Sequence, residues 1–216
     1  MTTFQAASVE DIRDIFRDLH GRHGVNEAGL YEITGASFIA DEPFIFGEPN
    51  DDYIRREIAW YETAIPNIYE MKGEPPTIWK RVASELGFVN SQYGYLIYSE
   101  ENNEQYEHVL NELKKNCTSR RGAMIYTRPS IHVDATANGM DDFICTNAVN
   151  YFIHNGVLDA VVQMRSNDVV FGYRNDLAWQ RFILAKMARD LDVGQGTITW
   201  QAASLHIYPL HFNLIK

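Results

Sequence analysis

Cysteine is scarce in this chain, with only Cys117 and Cys145 among 216 residues. Two thiols cannot build a disulfide framework, and no cysteine–histidine cluster has the spacing of a zinc site, so no metal is expected. Long apolar runs are missing too, and none approaches the length of a membrane span. Residues 1–6 lack the basic and apolar regions of a signal peptide, so a cytoplasmic protein with no membrane partner is expected. Positive charge is in short supply: 19 Lys and Arg against 29 Asp and Glu give a net charge of -10. A surface that negative repels a polyanion, which excludes polymeric nucleic acid as a partner. A small anion is still admissible, because a few positioned arginines override the global field inside a pocket. Glycine-rich phosphate loops, internal repeats, low-complexity tracts and linkers are absent as well.

What is present fits one domain, 1–216, long enough to bury a core, with 45% hydrophobic and 22% charged residues. Ser8-Val9-Glu10-Asp11 opens a helix with a capping serine and early acids, and Ile12, Ile15, Phe16 and Leu19 form its apolar stripe. Residues 30–40 read as a strand and 52–63 as a helix. A further helix is expected after Pro75-Pro76, with Ile78, Trp79, Val82 and Leu86 at helical spacing. Residues 102–115 read as a helix, and 122–127, 143–153 and 158–165 as strands, with Asn155-Gly156 turning between the last two. Asn175 or Asp176 is expected to cap a long amphipathic helix through Leu191, and 197–208 to form a final strand. Strands and helices mix without regular alternation, which predicts an α/β (α+β) fold on a mixed or antiparallel sheet.

Chemistry concentrates in a few places. Cys145 lies in an apolar run, where a cysteine is either a small buried hydrophobe or, with cations nearby in space, a thiolate nucleophile. Arg120-Arg121 is either a solvated pair or an anion grip. Arg165-Ser166 follows the apolar run 161–164, so it should emerge at a sheet edge where a guanidinium fork and a hydroxyl can hold phosphate. Asp168 and Asp176 follow within the same strand–turn–helix. Glu57 sits on an amphipathic helix. His206 and Tyr208 alternate along one strand and so share a face, where they either bind a sugar hydroxyl or line a polar surface.

Residues 35–47, Ser119-Arg120-Arg121-Gly122, 142–147, 165–176 and 204–208 occur in an order and spacing that resembles the thymidylate synthase superfamily, and within it the deoxycytidylate hydroxymethylases of T-even-type bacteriophages. The resemblance implies a mixed, twisted β-sheet flanked by helices, with a sheet face forming a homodimer interface. It implies a transferase that converts dCMP to 5-hydroxymethyl-dCMP with 5,10-methylenetetrahydrofolate and water. Cys145 matches the nucleophile that adds to C6 of the base, and Glu57 the acid that relays protons and orders water. Arg165 and Ser166 match phosphate ligands, as do Arg120 and Arg121, donated by the other subunit. His206 and Tyr208 match the pair at the deoxyribose 3′-hydroxyl. Asp168, Trp79 and Tyr93 match folate- and base-pocket residues.

Asp176 stands where thymidylate synthases carry asparagine, and a carboxyl group there complements N3 and N4 of cytosine. Two departures accompany the resemblance. Val25 falls where the superfamily has a phosphate-binding arginine, and the chain stops at Lys216, before the segment that closes over folate in relatives. The competing expectations are an enzyme of this fold acting on dUMP or CMP, and a nucleotide-binding homologue without turnover.

Overall fold

Local rules set the first element. Ser8 and Asp11 form a reciprocal capping box at the start of α1 (Val9–Gly21), so two otherwise orphaned N–H groups find acceptors. The chain continues through β1 (Tyr31–Ile39), α2 (Asp51–Glu62), α3 (Thr77–Val82), α4 (Tyr93–Tyr98), α5 (Gln105–Lys115), β2 (Ala123–Ile125) and α6 (Ile131–Asp134). Then come β3 (Thr146–His154), β4 (Val157–Met164), β5 (Asn167–Asp168), α7 (Gly172–Leu191) and β6 (Gly194–Ile207). The computed structural model describes residues 7–216; residues 1–6, read above for a leader, lie outside the described part. Contacts divide the chain into two compact units, Met1–Pro49 with Asn150–Lys216, and Asn50–Val149.

In the first unit β6 is the central strand. β1 pairs with it antiparallel, from Tyr31 opposite Ile207 to Ile39 opposite Thr199. On its other side β4 runs parallel, ending with Met164 opposite Ala202. β5 then resumes the same parallel ladder, with Asn167 opposite Leu205 and Asp168 opposite His206. Arg165 and Ser166 therefore occupy a two-residue interruption in a ladder that keeps its register, rather than the free end of a strand. β3 enters this sheet by a hairpin to β4 through Asn155 and Gly156, whose φ values of 51° and 76° match the twist-compatible tight turn. The sheet is mixed and helices pack on it, as expected.

α7 lies on this sheet with Tyr173, Leu177, Trp179, Ile183, Leu184 and Met187 buried. Tyr173 meets Trp200 of β6 edge to face, with ring centroids 5.3 Å apart. Val9, Ile12 and Phe16 of α1 are buried, whereas Ile15 of the expected stripe is 43% exposed. Each large side chain removed from water contributes about 1.5–3 kcal/mol, so these two helices hold the sheet's covered face.

The second unit is helical and rich in aromatic rings. Tyr61 of α2 stacks on Tyr93 of α4 at 5.4 Å, and Tyr93 meets Tyr126 edge to face at 5.2 Å. Gly94 makes the close approach possible: a Cβ there would come 1.6 Å from the Tyr61 carbonyl oxygen. β2 lies beside the start of β3, with the Tyr126 N–H donating to the Asn147 carbonyl at 3.0 Å.

Several expected boundaries move. The helix after Pro75-Pro76 ends at Val82, because Ala83 is extended; Ile78 and Leu86 are exposed at 56% and 74%. The helix expected from 102 begins at Gln105, since Asn103 and Glu104 both have positive φ and break it. The strand expected from 143 starts only at Thr146, so Cys145 precedes it. β6 begins at Gly194 rather than 197, and Tyr208 falls just beyond its end.

Candidate active site

In the second unit Glu57 lies on the inward side of α2, only 5% exposed. The Tyr53 hydroxyl, one helical turn earlier, donates to it. The Trp79 indole N–H donates to the Tyr53 oxygen at 2.8 Å and to Glu57 at 3.2 Å. Burial pushes the Glu57 carboxyl up to about 7, while the bonds from Tyr53 and Trp79 oppose the shift. An acid tuned to that range exchanges protons in both directions at neutral pH. Tyr53 went unread in the sequence, although its four-residue spacing from Glu57 puts both on one helix face.

Cys145 is half-buried, with its Sγ 3.8 Å from the Phe143 carbonyl oxygen, and it forms no disulfide. Its backbone is fixed on both sides. Upstream, the buried Asp142 carboxylate accepts from the Asn90 and Ser91 N–H groups at 2.6 and 2.8 Å and from the Ser91 hydroxyl at 2.5 Å. Downstream, the Thr146 hydroxyl donates to the Tyr93 oxygen at 2.9 Å, which also places Tyr93 beside the first residue of β3, next to the cysteine in sequence. Cys117 is exposed.

Arg120 and Arg121 follow α5, where the Ser119 hydroxyl bonds Glu112 at 2.5 Å and accepts from the Arg121 N–H at 3.1 Å. Both arginine side chains are exposed, and among the described residues neither forms an ion pair. In a chain this acidic, two unmatched guanidiniums side by side suit an anion that the unit itself does not provide.

The first unit brings the other expected residues to one corner. Arg165 and Ser166, both half-buried, sit in the ladder's interruption, and Asp168 pairs across to His206. His206 is 5% exposed, and its Nδ1 lies 3.3 Å from the Ser204 hydroxyl oxygen. Ser204 donates in turn to Glu32, which also accepts from Asn26 at 2.7 Å. Bonds from Ser204 and Asn26, with His206 nearby, hold the Glu32 carboxyl below its usual range. This Glu32–Ser204–His206 chain was not read from the sequence, because β1 and β6 meet only through long-range pairing. The His206 and Tyr208 rings stand edge to face at 5.1 Å.

One expectation about α7 changes. Neither Asn175 nor Asp176 caps the helix; both lie inside it. The helix is flanked by Phe171 with no side-chain cap, and Asp168 instead closes the turn that leads into it: its carboxylate accepts from the N–H groups of Val170, Phe171 and Gly172 at 3.2, 2.8 and 3.4 Å. Asp176, one turn into the helix, accepts from the amide of Asn167 at 2.8 Å. Among the described residues no three His, Cys, Asp or Glu side chains gather as a metal site, and no helix is long and apolar enough to cross a membrane.

Comparison with known proteins gives the family. The deoxycytidylate 5-hydroxymethyltransferases of Enterobacteria phages T4 and T2 are each 52% identical to the chain over 191 residues, covering 85% of it and 78% of the relative. The thymidylate synthase of Buchnera aphidicola is 26% identical over 165 residues, covering 74% of the chain and 61% of the relative. The thymidylate synthase family model matches residues 52–216, most of the length described above, and the chain belongs to that family.

Proposed function

We propose that the chain is a pyrimidine-nucleotide C5 hydroxymethyltransferase that converts dCMP to 5-hydroxymethyl-dCMP. The observation that carries this reading is the 52% identity to phage enzymes named for that reaction, in a chain with a carboxylate at Asp176. Cytosine offers a donor at N4 and an acceptor at N3. A carboxyl group accepts from N4 and, when a proton is shared, also bonds N3.

Each residue then has a defined task. Cys145 attacks C6 as a thiolate, and the displaced electron pair makes C5 a carbon nucleophile. The folate cosubstrate supplies a one-carbon unit at the oxidation level of formaldehyde. C5 exchanges its proton for a hydroxymethyl group whose oxygen comes from water, and the thiolate leaves C6 again. Glu57, poised near neutrality, holds that water and moves its proton, a role typically contributing ~10²–10⁴-fold. Arg165 and Ser166 hold the phosphate, and His206 and Tyr208 the sugar hydroxyl.

The residues also suit a flat, folate-like cosubstrate. Trp79 is part-exposed, and Asp168, with three N–H groups on its roughly four lone-pair sites, still has room for one donor. The unmatched Arg120 and Arg121 support a homodimer in which each subunit lends this pair to the other's phosphate.

Mass spectrometry of dCMP incubated with the protein and methylenetetrahydrofolate tests the reading. The expected product carries one added CH2O unit, and folate leaves as tetrahydrofolate. Release of dihydrofolate would mark a synthase instead. Cys145→Ala should abolish turnover while dCMP binding, followed by calorimetry, stays within about threefold of the parent; undiminished turnover would remove Cys145 from the role.

A further inference from the structure

Asn167 is 3% exposed, and its two amide atoms have different fates. The nitrogen donates to Asp176 Oδ2 at 2.8 Å. The oxygen has no hydrogen-bond partner among the described residues. The assignment of the two atoms follows from chemistry, since a carboxylate accepts and so turns the nitrogen toward itself. Gly172 leaves the room this amide occupies: a Cβ there would come 3.1 Å from the Asn167 nitrogen. Leaving an amide oxygen buried and unpaired costs about 1–3 kcal/mol, so its persistence calls for a donor.

We infer that Asn167 is a second base-reading residue: its nitrogen fixes the Asp176 carboxylate, and its oxygen accepts the second N4–H of cytosine. This rests on the reading of Asp176 as the residue that faces the base. The exocyclic amine of cytosine carries two hydrogens, and two acceptors then take one each. Uracil presents a carbonyl oxygen at the same position, with two lone pairs and no hydrogen. It would face two acceptors at once, which rejects it more strongly than one acceptor alone. Asn167 thus acts on selectivity twice, through Asp176 as a positioning residue and on the amine directly.

The test is the ratio of kcat/KM for dCMP to that for dUMP, read as loss of a C5 hydrogen label. The two nucleotides share sugar and phosphate, so a general structural defect cancels in the ratio. Asn167→Leu keeps volume without polarity, and Asn167→Ala is the second variant. Both should lower the preference for dCMP by about 10-fold or more, while dUMP affinity by calorimetry holds or rises because one acceptor facing its carbonyl is gone. An unchanged ratio in a variant that still binds dUMP overturns the inference. The unaltered protein gives an independent arm. It should bind N4-methyl-dCMP, which keeps one amine hydrogen, about 10-fold or more weaker than dCMP, and equal affinities overturn the inference however the variants fold. If the unaltered protein itself prefers dUMP, the dCMP reading fails; if it prefers dCMP and the variants keep that preference, only the role of Asn167 fails.

Discussion

Glu57 is an acid enclosed by protein, and its protonation would couple the proposed proton transfer to stability. Its carboxyl titrates near 7 when folded, against an ordinary value of 4.5. Below 4.5 both folded and unfolded chains carry the proton, and the residue imposes no pH slope. Between 4.5 and about 7 the unfolded chain gives up the proton and the folded chain keeps it, so stability falls as pH rises. Above about 7 both are ionised and the loss is complete, amounting to about 3 kcal/mol at 1.36 kcal/mol per unit. Glu57→Gln removes the ionisation. Its melting temperature should therefore gain on the parent steadily between pH 5 and pH 7.5, while turnover drops about 10²-fold or more. A constant difference in melting temperature across that range would show that Glu57 titrates as an ordinary acid.

At the scale of elements, Asp168 has two duties that one substitution can separate. In the turn leading into α7 its carboxylate satisfies backbone donors, two of them on one oxygen, and an asparagine oxygen can keep those two. The proposed folate contact would need its charge. Asp168→Ala should lose about 1 kcal/mol of stability in urea unfolding, whereas Asp168→Asn should keep most of it and raise the KM for the folate. Equal destabilisation by both variants would mean that the charge, not the turn's hydrogen bonds, is what stabilises the junction. Elements with a clear hydrophobic period, such as α1, α2, α7 and β6, were legible in the sequence because one face is buried and the other is not. α4 was not: Tyr93, Gly94, Leu96 and Ile97 are all buried, so its six residues carry no two-sided pattern. The candidate site divides the same way. Cys145, Arg165 and Asp176 sat in recognisable strings. The Asn167–Asp176 bond spans nine residues across a strand–helix junction, and the Glu32–Ser204–His206 chain spans the length of the sequence, so no local spacing announces either.

For the molecule as a whole, the exposed arginine pair makes a prediction about subunits. Cys145→Ala protein and an Arg120→Ala, Arg121→Ala double variant should each be inactive alone. If the arginines act in a partner's site, mixing the two after mild unfolding yields mixed dimers with one intact site. Random pairing then restores about a quarter of parental activity. Recovery no greater than the sum of the separate variants would place the arginines in their own subunit's site. Within the first unit, β5 is only two residues long, yet one of them pairs with His206, its neighbour holds Asp176, and its carboxylate closes the turn into α7. In the proposed function, sugar contact and base contact are therefore geared to a single rung of the sheet. On that reading, retuning one disturbs the other, and converting the chain to a different base should call for compensating changes at residues 167 and 176 together, not a single exchange.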